Sequence, residues 1–386
     1  MVFKNAVVLN DEFRFMRADV YVDNGIIISI HEPDSVIADD QEVLDLSGLY
    51  LVPGFIDIHT HGAMGADHLD GTFEATDKIC QYMASQGTTS VLATIMTQSA
   101  DKMYHACENV AEYQARGPLS DKAHIRGIYL EGPFFTEKYK GAQHPEYLMD
   151  ADIRLIDRLQ RASDNGIKII SLAPERSGSI EFIKQYKNKI NVFMGHTDSD
   201  YKTTCSAIEA GARGVTHTFN GMRPLHHRDP GILGAALIDE RVVCECICDG
   251  IHVHPAMIRL LYSIVGRERF VIISDSICPT GLSDGSYESG GQQITVNKGI
   301  AYLGMPGKTI ADSTIAGSTV SVYKCIQNLV KLNIMSLENA IYAATAVPAR
   351  AAGIYNCVGS ILPGKCADLL VMDRDLNIKK VYIGKD

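Results

Sequence analysis

From "FIDIHTHG" at residue 55 to "RFVIISD" near residue 275, the chain repeats one local pattern, a short apolar run followed by a longer helix-compatible stretch. The runs include "TSVLATI", "RGIYLEG", "IKIISLAPE", "NVFMGH", "RGVTHTF" and "VVCECICDG", and segments such as "ATDKICQYMASQG" and "TTCSAIEAGA" separate them. A run that is apolar at successive positions fits a strand covered on both faces, which is the habit of parallel sheets. Strand and helix units repeated over about 300 residues predict a parallel α/β fold, with a closed barrel as the leading choice. The chain ends have a different texture. "NAVVLN" and "ADVYVDNGIIISI" alternate with polar turns such as Asp23-Asn24-Gly25, the pattern of a small antiparallel sheet. "GSILPGKCADLLVMDRDLNIKKVYIGK" returns to that texture, so the two ends are expected to join into one small β domain.

Several apolar runs end in a residue of metal-ligand type. The first ends in His59 and His61, and "IYLEG" in Glu131. "NVFMGH" gives His196, "GVTH" gives His217 and "RFVIISD" gives Asp275. Asp57, His59 and His61 alternate along the chain, so in a strand they share one face. In a parallel barrel the C-terminal strand ends meet around one mouth, where active sites form. Four histidines and two carboxylates gathered there are the donors that zinc and similar divalent ions prefer. A single buried histidine or aspartate is often structural, but the recurrence at five independent strand ends points to a metal site. Cys244, Cys246 and Cys248 are read differently. Alternate strand residues lie about 6.6 Å apart, and two sulfurs on one zinc lie at most about 4 Å apart. Short thiol side chains cannot close that gap, so these cysteines are expected to be a buried strand.

The net charge of −10 argues against nucleic acid or an anionic membrane surface as the main partner. No apolar run approaches the roughly 18 residues of a membrane span, and "MVFKNAVVLNDEF" lacks the features of a signal peptide. A cytoplasmic location is expected, with the ten cysteines as free thiols.

The stretches "PGFIDIHTHG", "LEGPFF", "KGAQHP", "MGHTDSD", "THTFNGM", "DGIHVHP", "ISDSICPTG" and "TIAGS" occur in the order found in one group of enzymes. On them the chain resembles the N-acetylglucosamine-6-phosphate deacetylase family of the amidohydrolase superfamily. "PGFIDIHTHG" alone indicates only the superfamily, and "LEGPFF" with "THTFNGM" narrows it. The resemblance implies a distorted (β/α)8 TIM barrel over residues 53–352. A small β-sandwich domain is implied from residues 1–52 and 353–386. It implies hydrolysis of N-acetyl-D-glucosamine 6-phosphate to D-glucosamine 6-phosphate and acetate, in amino sugar catabolism or cell-wall recycling. Glu131, His196 and His217 match the principal metal ligands. His59 and His61 match a second, variable pair, and Asp275 matches the catalytic aspartate. The implied metal is zinc, as one or two ions, with iron or another divalent ion as alternatives. Glu131 occupies the place that many superfamily relatives give to a modified bridging lysine, which weighs against dihydroorotase- or hydantoinase-like activity.

Ala142, Gln143, Asn220, Gly221, Arg228, His252, Ile315, Ala316 and Gly317 match positions that contact the phosphosugar. Some family members carry histidine where this chain has Gln143, and His144 reads as a loop residue. The only dense basic stretch beside these motifs is "MRPLHHRDPG", with Arg223, His226, His227 and Arg228. Relatives lend the arginine to a neighbouring subunit, so a homodimer or dimer of dimers is implied. The sequence leaves open the galactosamine epimer as substrate, and a metal-free scaffold as a different class of function.

Overall fold

A computed structural model describes residues 1–33, 42–117, 121–307, 309 and 313–384. Its centre is a sheet of eight parallel strands hydrogen-bonded in chain order. They are Phe55–Thr60, Thr88–Met96, His124–Glu131, Ile167–Leu172, Asn191–Met194, Gly214–Val215, Val243–Ile247 and Phe270–Ile273. Each is followed by a helix, beginning with Phe73–Ser85 and ending with Val322–Lys331. The strands read as uninterrupted apolar runs because both faces are covered. All nine residues of Thr88–Met96 are buried. The helices start where a short polar side chain satisfies free backbone N–H groups. Thr72, Ser99, Asp152, Asp200 and Ser321 each accept such a bond at a helix N-terminus.

The first and eighth strands close the barrel at its C-terminal end. The Asp275 N–H donates to His59 O at 2.9 Å, the His61 N–H donates to Ser276 O at 2.8 Å, and Thr60 bridges Ser276. One turn deeper the seam is held by a side chain. The buried Asp57 carboxylate accepts from the Ser274 hydroxyl, from the Ser274 N–H at 3.3 Å and from the His59 N–H at 3.2 Å. Burial pushes the Asp57 carboxyl up to about 6, against these bonds, which favour the charged form.

The chain ends form a seven-stranded sheet from Val2–Leu9, Phe15–Asp23, Ile26–His31, Val43–Asp45, Tyr50–Pro53, Leu369–Met372 and Ile378–Tyr382. Residues from the two ends meet directly, with Tyr50–Pro53 antiparallel to Leu369–Met372. Strand alternation gives this sheet two apolar faces. Phe3, Val8, Val20, Leu51, Leu369 and Val371 enclose a small core, while Leu9, Val52, Leu370 and Met372 pack into the barrel's core. The expected antiparallel pattern holds only in part. Val43–Asp45 and Tyr50–Pro53 both run parallel to Val2–Leu9. Alternation fixes which face a strand buries, but the connection decides its direction.

Between the eighth strand and its helix lies an antiparallel sheet of three strands, Gly285–Ser289, Gln292–Asn297 and Ile300–Leu303. Its core of Ile294, Val296 and Ala301 packs with Ile277 and Ala316, residues that flank the barrel mouth. Cys244, Cys246 and Cys248 are buried free thiols on or just beyond the seventh strand, as expected from their spacing.

Candidate metal centre and active site

Six side chains of metal-ligand type converge at the C-terminal mouth in two groups, Glu131 with His196 and His217, and His59 with His61 and Asp275. All are buried. Glu131 ends the third strand. His196, His217 and Asp275 each lie two residues beyond a strand end, at φ values of 44°, 27° and 50°. Non-glycine residues in this left-handed region are strained, and strain of this kind collects at functional sites. Here it turns the chain inward over the barrel axis after the fifth, sixth and eighth strands.

The donors face one another closely. Glu131 Oε1 lies 3.1 Å from Nε2 of both His196 and His217, and these two nitrogens are 3.1 Å apart. His59 Nε2 lies 3.5 Å from Glu131 Oε1 and 3.5 Å from Asp275 Oδ1. His61 Nε2 lies 3.4 Å from Glu131 Oε2 and 3.3 Å from Asp275 Oδ1. Ligands about 2.1 Å from one tetrahedral ion stand about 3.4 Å apart, so both groups have the spacing of a cation's shell. His59 Nε2 is buried with no hydrogen-bond partner, as expected of a nitrogen reserved for an ion. The Nδ1 atoms set the ring orientations. His196 Nδ1 sits 2.9 Å from Tyr139 O and His217 Nδ1 3.1 Å from Asn220 O, which leaves Nε2 toward the centre.

The electrostatics agree with this reading. Burial alone would lower the pKa of His59, but Glu245, Asp275 and Glu131 overcome it and hold the ring well above its usual value. His217 is also raised, its burial outweighed by Glu131. Burial of Glu131 is outweighed by its bonds to His196, His217 and His59, which hold the carboxyl well below the usual range. A field that draws protons onto imidazoles also draws a divalent cation.

A cavity of about 360 Å³ opens over the centre, within the range of small-molecule sites. Ala142, Gln143, Asn220, Gly221, His252, Ile315, Ala316 and Gly317 all line it. Gln143 is buried, with its Nε2 donating to Glu131 Oε2 at 2.5 Å and its Oε1 accepting the Thr97 N–H at 3.1 Å. His252 is held by Asp249 at 2.6 Å and by Gly317 O at 3.0 Å. Gly221 has φ +60°, and a Cβ there would stand 3.0 Å from His196 Nδ1, so a side chain would press on the His196 ring.

Arg228 does not line this cavity. It is exposed, with its guanidinium 2.6 Å from His227 Nε2. Arg223 is committed elsewhere, to Asp198 and Asp229, each at 2.9 Å. These ion pairs anchor the start of the loop, and the basic residues after it point outward. His144 lies outside the cavity lining and packs on Tyr147 with ring centroids 5.0 Å apart. Sequence reasoning missed Glu245, whose Oε2 stands 3.1 Å from His59 Nδ1. It sits between Cys244 and Cys246, and the alternation that turns the thiols one way turns Glu245 the other. Ser289 and Ile294 of the inserted sheet also reach the cavity, and nothing in the sequence texture marked that sheet as part of the site.

Residues 50–384 match the amidohydrolase family. The N-acetylgalactosamine-6-phosphate deacetylase of Escherichia coli O157:H7 is 35% identical over 362 residues, 93% of this chain and 92% of that protein. The N-acetylglucosamine-6-phosphate deacetylase of Vibrio furnissii is also 35% identical over 362 residues, 94% of this chain and 88% of the relative. Among solved structures, N-acetyl-D-glucosamine-6-phosphate deacetylase from Mycobacterium smegmatis superposes with a TM-score of 0.90 at 30% identity, covering 100% of this chain and 99% of the other.

Proposed function

Because the chain belongs to the amidohydrolase family, and within it to the N-acetylglucosamine-6-phosphate deacetylases, we propose that it hydrolyses N-acetyl-D-glucosamine 6-phosphate to D-glucosamine 6-phosphate and acetate. The observation that carries this reading is the meeting of both ligand groups with Asp275 at the floor of one small cavity. Glu131, His196 and His217 would hold one divalent ion, zinc or iron. His59 and His61, with Asp275, would hold a second. Such an ion polarises an amide carbonyl and acidifies bound water.

The chain's own residues supply the rest. Asp275 stands beside His59 and His61, and burial would raise its pKa, yet these imidazoles hold it below the usual carboxylate value. It is therefore ionised and ready to take a proton from the attacking water. It returns that proton to the sugar nitrogen as the C–N bond breaks, so that acetate and a free amine leave. Gln143, fixed by the Thr97 N–H, keeps Glu131 in place. Asn220 and His252 face the sugar.

The phosphate poses a separate demand. No arginine or lysine is among the described residues lining the cavity. A dianion there calls for a charge from outside, and Arg228, exposed at the surface, is suited to enter the cavity of a second copy of this chain. The working unit is therefore proposed to be a homodimer or a dimer of dimers. Among the described residues no helix is long and apolar enough to cross a membrane. The proposed role is cytoplasmic, in amino sugar catabolism or cell-wall recycling.

Acetate release from the two epimeric phosphosugars, run side by side on metal-loaded protein, tests the reading. Faster release from the gluco epimer is expected. The equal identity of the E. coli relative keeps the galacto epimer as a second reading, and preference for it would replace the first. No acetate from either, with no bound metal, would leave the scaffold.

A further inference from the structure

The seventh strand gives no member to either ligand group, yet its central residue touches both. Glu245 is fully buried. Its Oε2 lies 3.1 Å from His59 Nδ1 and accepts the His217 backbone N–H at 3.1 Å, while Oε1 has no hydrogen-bond partner. A half-satisfied carboxylate in the interior is costly unless positive charge stands nearby to offset it. The nearest candidate is His59, which also packs on the Tyr129 ring with centroids 4.5 Å apart.

We infer that Glu245 is a positioning residue that equips the His59–His61–Asp275 group to hold a divalent cation of its own. Its carboxylate accepts a hydrogen bond from the His59 Nδ1–H, which fixes the tautomer and points a bare Nε2 at Glu131 and Asp275. It also brings a full negative charge one imidazole away from the centre. The rings of the other group have no such support, since His196 and His217 Nδ1 lean on neutral backbone carbonyls and Glu245 reaches His217 only through its backbone N–H. Loss of Glu245 therefore acts unevenly. Partners of this kind are worth about 10–100-fold in metal affinity. The inference rests on the ligand assignment proposed above.

The test is the zinc stoichiometry and affinity of the full chain, by competition with a chelator, for wild type, Glu245→Gln and Glu245→Asp. Glutamine keeps the shape and removes the charge, whereas aspartate keeps the charge and loses the reach, so either variant serves if the other fails to fold. Wild type should hold two ions. The variants should keep one at wild-type affinity and bind the second about 10–100-fold more weakly. Two ions held as tightly as in wild type would overturn the role of Glu245 alone. Equal weakening of both ions would overturn it as well, because Glu245 would then merely support the barrel wall. A wild type that binds only one ion would remove the inference together with the two-group assignment.

Discussion

The two ligand groups share one mouth but are built by different means. Glu131, His196 and His217 come from the third, fifth and sixth barrel units, inside the continuous ladder, and backbone carbonyls orient the two rings. His59, His61 and Asp275 straddle the seam where the last strand meets the first, with Asp57 below on the His59 backbone and the Glu245 side chain orienting the His59 ring. Main-chain partners persist under almost any substitution, whereas carboxylate partners are lost with one. The first group is thus intrinsic to the barrel wall. The second depends on named side chains, Asp57 and Glu245.

The largest expected effect lies at the seam. Asp275→Asn keeps the size and the fold but removes the proton acceptor, so turnover should fall about 10²–10⁴-fold. Steady-state kinetics with unchanged thermal melting checks this, and near-normal turnover would take Asp275 out of the chemistry. A paired experiment then contrasts the groups directly. His196→Ala should abolish binding at the first group and cost roughly 10³-fold or more in rate, since polarisation by the ion is worth several kcal/mol. His61→Ala should remove an ion from the second group only. Full metal content in His196→Ala would break the comparison.

Smaller effects sharpen it. Arg228→Ala should weaken binding of the phosphorylated sugar by about 1.5–3 kcal/mol, the range for a hydrogen bond to a charged group. Use of unphosphorylated N-acetylglucosamine should hardly change. Equal losses on both sugars would mean that Arg228 supports its loop instead. The smallest is Gly221→Ala. The left-handed backbone there adds about 1 kcal/mol of strain, and the new methyl presses on His196, so thermal stability should fall slightly and affinity at the first group with it. A metal affinity matching wild type at both groups would show that the ring has room to shift.

Much of this was legible in the sequence because barrel strands write both their burial and their exit residues into short runs. "NVFMGH" and "GVTH" carry a buried strand and a ligand in a handful of letters. Glu245 escaped because its neighbours drew attention as cysteines, and only its partner His59, far away in sequence, reveals its purpose. The inserted sheet at 285–303 looks from sequence like any polar hairpin, since what makes it part of the cavity is where it docks. Arg228 was legible as a basic residue near the motifs. Its outward direction was not, because the Arg223 ion pairs that anchor its loop join segments separated along the chain.

The seam also sets an order of assembly. Asp57 and Ser274 are separated by 217 residues, whereas Glu131 and His217 are separated by 86. Loop entropy distinguishes these spans by only about 0.8 kcal/mol, since the cost grows with the logarithm of length. The greater constraint is topological. The first group needs only the middle units of the chain, and a polypeptide still emerging could gather it. The second exists only once the eighth strand has docked beside the first. On the proposed ligand assignment, a full complement of ions is therefore a signature of a finished barrel, and a chain cut short before residue 270 would lack Asp275 and the seam that holds it.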